Sequence, residues 1–200
     1  MRVSREDGPA SETGTETETP TVTLRREGIR CRPLTPLDAD DIRDACNDEQ
    51  IQQWLPLPSP YGADDAVSFI SESSCDPKAL GVAMKFAVER DDPSPGRLLG
   101  CIELDPISVD ARVYQIGYWV APWARGEGVA AKATSQLAEW AIRVRGAERI
   151  ELRIQPGNTA SKAVARTCGF TYEGTLRSAG LHRDRRIDLG IWSLLPIELS

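Results

Sequence analysis

The feature that most constrains the fold is a change of period at Pro122. Before it, VYQIGYWV (Val113 to Val120) alternates as a strand does. Val113, Gln115, Gly117 and Trp119 share one face, and Tyr114, Ile116, Tyr118 and Val120 the other. After it, Val129, Ala133, Leu137, Trp140 and Val144 recur at helical steps, with Lys132, Gln136, Glu139 and Arg143 opposite. A further strand is predicted at Arg149 to Ile154. Strand, helix and strand in this order form a βαβ unit, which is parallel and right-handed.

The remaining segments fit around that unit. Val22 to Pro33 alternates as a strand or hairpin, and Thr35 before Pro36, with Asp38 following, caps a helix to about Asn47. Short helices are predicted over Asp48 to Trp54 and Ala63 to Ser73, separated by LPLPSP, whose prolines force extended or turn backbone. Met84 to Glu89 and Arg97 to Leu104 read as an antiparallel pair joined by DDPSPG. A helix from Asn158 to Cys168 precedes strands at Phe170 to Thr175 and Ile187 to Leu195. The fold class is therefore α+β, a single domain with a mixed central sheet of about six to seven strands flanked by helices. Residues 1–20, MRVSREDGPASETGTETETP, hold too little apolar surface to offset the entropy of ordering. They read as a disordered tail on a domain spanning 21–200.

Composition narrows the function. With 24 Lys+Arg against 30 Asp+Glu the chain is mildly acidic, which disfavours nucleic-acid binding, since that rests on counterion release by a basic surface. No apolar run has the length of a membrane span, and the N-terminus lacks a signal-peptide core. Five cysteines, Cys31, Cys46, Cys75, Cys101 and Cys168, form no metal-binding or redox spacing and read as free thiols in a reducing cytoplasm. The single histidine, His182, reads as a surface loop residue, so neither a metal site nor a histidine-based triad is expected.

The stretch WARGEGVAAKA places Arg125, Gly126 and Gly128 at the head of the strongest helix, where glycine is a poor helix former. Two readings stand on these residues alone. The glycines make a turn and Arg125 is solvated, or the unpaired N–H groups of Arg125, Gly126, Glu127, Gly128, Val129 and Ala130 receive a diphosphate with Arg125 beside it. GEGVAA also matches a dinucleotide-binding glycine pattern with Glu151 downstream. That pattern opens its domain directly after a strand, whereas PWAR intervenes here and over a hundred residues precede it. A Walker loop is absent, because no Lys-Ser/Thr pair follows Gly128.

These residues resemble the GNAT superfamily of acetyl-CoA-dependent N-acyltransferases, specifically the branch of the ribosomal-protein alanine N-acetyltransferases. The family motif Gln/Arg-x-x-Gly-x-Gly/Ala is met by Arg125, Gly128 and Ala130. NTASKAVARTCGFTYEGTLR resembles its second cofactor block, through Asn158, Gly169, Phe170, Glu173 and Gly174. LRREGIRCRPLTPLDADDI with IQQWLPLPSPY, and DLGIWSLL, match its opening and close, so the resemblance spans Val22 to Leu195.

The resemblance implies direct acetyl transfer from acetyl-CoA, as co-substrate, to a primary amine of a protein N-terminus or small molecule, with no acyl-enzyme and no metal. It implies a monomer or homodimer in the cytoplasm. Trp119 and Val120 would lie along the pantetheine arm and polarise the thioester, and Asn158, besides capping its helix, would bind that arm. Relatives carry an acidic tyrosine where Ala165 stands here, so Ser161, one turn after Asn158, is the candidate acid. Relatives often place a glutamate base where Gln115 stands, and an amide cannot take a proton at neutral pH. Glu103 on the neighbouring strand is the candidate base. Trp54, Tyr61 and the prolines between them fall where the family borders its acceptor. The missing tyrosine and glutamate also suggest an alternative, a CoA-binding regulatory protein that kept the cleft and lost catalysis.

Overall fold

The computed structural model describes residues 21–73, 76, 81–92 and 96–199. The tail at 1–20, Cys75 and the centre of the DDPSPG connection lie outside them.

Eight strands form one mixed sheet: β1 (Leu24–Arg26), β2 (Ile29–Pro33), β3 (Met84–Arg90), β4 (Gly100–Ser108), β5 (Val113–Val120), β6 (Arg149–Ile154), β7 (Thr171–His182) and β8 (Arg185–Leu194), ordered β1-β2-β3-β4-β5-β6-β8-β7. Only β5 and β6 run parallel, as the βαβ reading requires. The count exceeds the expected six to seven because the opening segment is a complete hairpin, turned at Glu27 and Gly28 with φ of 50° and 77°.

Helices cover both faces. α4 (Val129–Arg143) and α5 (Thr159–Thr167) pack on the side of Phe86, Ile102, Tyr114 and Ile116. α1 (Ala39–Cys46), α2 (Glu49–Trp54) and α3 (Ala63–Ser71) cover the side of Ala87, Cys101 and Trp119. The alternation of β5 thus separates two cores, one per face. No helix among the described residues is long and apolar enough to cross a membrane.

Several boundaries differ from expectation for identifiable reasons. The helix expected from Pro36 opens as a 3-10 turn, Pro36–Asp38, before α1 begins. Asp38 accepts the Thr35 N–H at 2.7 Å and is also clasped by Arg32 at 2.7 and 2.9 Å. Gln136 on α4 is only 6% exposed and Val144, which caps its C-terminus, is 68% exposed, the reverse of their assigned faces. The β1–β2 hairpin widens the covered arc, and Gln136 Oε1 accepts the Cys31 thiol at 3.6 Å. β7 runs to His182 instead of ending near Thr175, paired with β8 across Arg183 and Asp184. Both adopt left-handed φ, 46° and 62°, without the glycine or asparagine that usually signals such a turn.

Candidate functional site

The site begins where β5 and β6 part. Their ladder joins only Val113, Gln115 and the Tyr114 between them to Arg149, Glu151 and Ile150. From Ile116 onward β5 stays paired with β4, as far as Val120 opposite Gly100, while its other edge faces an open cleft. A cleft of about 750 Å3 fills the divergence, walled by the Ile116–Val120 edge, the end of β6, the N-termini of α4 and α5, and α2.

At one end lies the α4 N-terminus. Gly126 and Gly128 take φ of 82° and 73°, a conformation that disfavours any side chain. Gly128 caps α4 without a side-chain cap, and the first turn carries no acidic residue, so the helix presents unpaired N–H groups and positive potential. A Cβ on Gly126 would meet nothing within 4 Å, so the space above the turn is open. Arg125, Gly128, Val129 and Ala130 line the cleft, but the Glu127 side chain turns outward to Arg90 at 2.7 Å. The Lys132 side chain passes beside Gly128, a cation at the mouth that sequence reading placed only on the solvent face.

Arg125 is exposed but engaged. It forms an ion pair with Asp48, whose carboxylate also accepts the Gln50 and Ile51 N–H groups at 3.1 Å as the cap of α2. Burial works against ionisation of Asp48, but Arg125 and those N–H groups outweigh it and hold its pKa below the usual carboxylate range.

Asn158 Oδ1 accepts the Ser161 N–H at 3.0 Å, so the capping role is present, and both residues line the cleft. Ala165 is fully buried in the α4–α5 core and does not reach the cleft. Tyr118, which the alternation of β5 places on one face with Tyr114, Ile116 and Val120, lines the cleft beside Ser161. Its Oη is buried with no hydrogen-bond partner among the described residues. Burial pushes the phenol up to about 12, and the neighbouring Ser161 hydroxyl opposes that shift without an aligned hydrogen bond.

Trp119 and Val120 line the cleft from the open edge of β5. Glu103 stands opposite Gly117 in the β4–β5 ladder, on the α1–α3 face. Burial, aided by the nearby Asp105 charge and opposed by Lys85, pushes its pKa up to about 7. Gln115 lines the cleft and donates to Asp105 at 3.3 Å. His182 is a correction: it is half-buried at the end of β7, lines the cleft, and holds a buried Nδ1 without a partner among the described residues. Its placement follows from the unpredicted β7–β8 turn, which Arg183 fastens to α2 by donating to Gln52 O and Oε1 at 3.1 Å.

Cys31, Cys46, Cys101 and Cys168 are free thiols. Burial pushes Cys31 and Cys46 up to about 12 and raises Cys101 and Cys168 as well, so each stays protonated and is a poor nucleophile.

A model of the acetyltransferase (GNAT) domain matches residues 29–171. An uncharacterised N-acetyltransferase, p20, of Bacillus licheniformis is 26% identical over 184 residues, covering 89% of this chain and 98% of its own. The ribosomal-protein-serine acetyltransferase of Escherichia coli is 26% identical over 113 residues, 56% of this chain and 61% of its own. Among solved structures, Mycobacterium smegmatis RimJ in complex with CoA-disulfide superposes with a TM-score of 0.76 at 24% identity, covering 90% of this chain and 88% of that one.

Proposed function

The chain belongs to the GNAT acetyltransferase family, acetyl-CoA-dependent N-acyltransferases, and we propose that its β5–β6 cleft holds acetyl-CoA while a primary amine, from a protein N-terminus or a small molecule, attacks the thioester directly. The observation that carries this reading is the uncapped α4 N-terminus, with its two left-handed glycines, at the mouth of a cleft opened by the splay of β5 from β6. The N–H groups from Arg125 to Ala130 receive the diphosphate, and Arg125 and Lys132 balance its charge. The unpaired edge at Trp119 and Val120 lies along the pantetheine arm and offers the thioester oxygen a backbone donor. Asn158 binds the same arm from α5.

Acetyl-CoA supplies the activated carbonyl and a thiolate leaving group. The incoming ammonium loses two protons in becoming the amide: the protein has to remove one before attack, and the second, shed to solvent as the C–N bond forms, balances the one it returns to sulfur. Glu103, with a pKa near 7, is ionised enough to take the first while remaining a usable acid afterwards. Ser161 faces the place where the thiolate departs, and Tyr118 behind it replenishes the proton. The C–S bond breaks as the C–N bond forms, so no enzyme nucleophile takes part, in keeping with the protonated thiols. We take the catalytic domain to span 21–200, with residues 1–20 as a tail, and to work in the cytoplasm as a monomer or homodimer without nucleic acid.

The test is CoA release from acetyl-CoA across a panel of N-terminal peptides and small amines, with Gly128→Val as control. Turnover lost in the variant supports the reading. CoA binding without turnover of any amine would instead assign a regulatory CoA-binding role.

A further inference from the structure

A second cavity, of about 250 Å3, lies on the α1–α3 face of the sheet and shares the walls Leu55, Pro56 and Gly117–Trp119 with the larger cleft. Its remaining lining is apolar, with Leu57, Tyr61, Phe69 and Cys101 prominent, and Glu103 carries the one charge among the described residues that line it. Lys85, the ladder partner of Glu103, sits over the Phe69 ring at 4.4 Å, and Asp105 follows two residues along β4.

We infer that this cavity is the acceptor subsite, and that it takes a monoamine whose neighbouring substituent is one aromatic or branched aliphatic group. The inference rests on the acetyl-CoA reading of the larger cleft and adds what the acceptor is. Three observations favour it over a polyamine or an aminosugar. The pocket offers one carboxylate, so each further ammonium of a polycation would be buried without a partner, which is costly. Its walls are aromatic and aliphatic, and such surface gains by covering apolar substituents. Its volume fits a single ring or branched chain, and the shared residue Gly117, beside Glu103, is where an amine on that group meets the thioester edge of β5. An arylalkylamine and a peptide beginning with a large apolar residue share this chemistry.

The experiment compares 2-phenylethylamine, a phenylalanine-headed tripeptide amide and spermidine with the full chain, by acetyl-CoA turnover and by calorimetric binding in the presence of CoA. We expect kcat/KM for one of the two apolar amines to exceed that for spermidine at least tenfold. Whichever of the two leads identifies the source as a small molecule or a protein N-terminus. Leu57→Trp fills the pocket from a residue that does not line the larger cleft. It should raise KM for the apolar amine at least tenfold while the Kd for CoA stays unchanged. Phe69→Ala, at a half-buried wall position, should shift preference toward the bulkier tryptamine. A preference for spermidine, or an apolar amine indifferent to both substitutions, overturns the inference while leaving acetyl transfer intact. A chain that fails to bind CoA overturns the acetyl-CoA reading and the inference with it.

Discussion

The Glu103 carboxylate lies over the bare α-carbon of Gly117, so close that a Cβ there would stand 2.6 Å from Oε1 and 3.1 Å from Cγ. Gly117 has no left-handed φ, so alanine can adopt its backbone and only the space is contested. The contested atoms belong to the free end of a side chain, which can swing aside at little cost to folding. Gly117→Ala is therefore expected to keep its melting temperature within a few degrees and its affinity for CoA, while kcat/KM falls about 10- to 100-fold because the base is displaced. Calorimetry and steady-state rates on the same preparation check this. An unchanged rate would remove Glu103 from the base role.

Glu103 also links activity and stability to pH in opposite senses. Its pKa is raised from 4.5 to about 7, chiefly by burial, so the folded state binds the proton more tightly than the unfolded chain. Its contribution to stability is complete below the unfolded value and is lost as pH rises to the folded one. Above pH 7 the ionised carboxylate costs up to about 3 kcal/mol, from the size of the shift. Glu103→Gln should then be more stable than the parent in urea at pH 8 and equal to it at pH 4. Over the same range the parent's kcat/KM should rise through pH 7, and the variant should lack that limb. His182→Asn should keep it. Loss of the limb in the histidine variant instead would move the base to His182.

Arg125 is held by Asp48 across the mouth of the cleft, so a diphosphate must compete for the same guanidinium. Asp48→Asn removes the competing charge but preserves an acceptor for the α2 N–H groups, since asparagine caps as well as aspartate. The variant is expected to bind CoA roughly three- to tenfold more tightly at low salt, about 1 kcal/mol, as befits a partly exposed ion pair. The gain should shrink near 0.5 M salt, where screening weakens both partners. Weaker binding in the variant would mean that Asp48 orients Arg125 for the ligand.

The βαβ unit was legible because its two periods are long and uninterrupted, and the α4 cradle because Arg125, Gly126 and Gly128 are adjacent in the chain. What escaped depended on contacts between distant segments. Nothing near Arg183 and Asp184 signals a tight turn, so the pattern ends β7 too early and places His182 on the surface. The Arg125–Asp48 pair links residues 77 apart, and the two have no common pattern in sequence. Glu103 is found through its strand neighbour, but its raised pKa arises chiefly from burial, which periodicity does not report. A helical wheel misplaces Gln136 because it assumes one buried face, whereas the β1–β2 hairpin supplies a second contact.

Tyr118 and Ser161 supply the remaining test. The buried Tyr118 hydroxyl has no hydrogen-bond partner among the described residues, which is a cost to folding, and it stands at the wall of the cleft beside Ser161. Tyr118→Phe removes only the hydroxyl and leaves the ring to pack, so stability should hold or rise. If Tyr118 replenishes the proton that Ser161 gives to sulfur, kcat should fall about tenfold with the KM for acetyl-CoA unchanged. Ser161→Ala should fall further, and the double variant no further than Ser161→Ala alone, since the two act in series. Additive losses would show two independent donors. Full kcat in Tyr118→Phe would leave the phenol a packing group and Ser161 supplied by solvent.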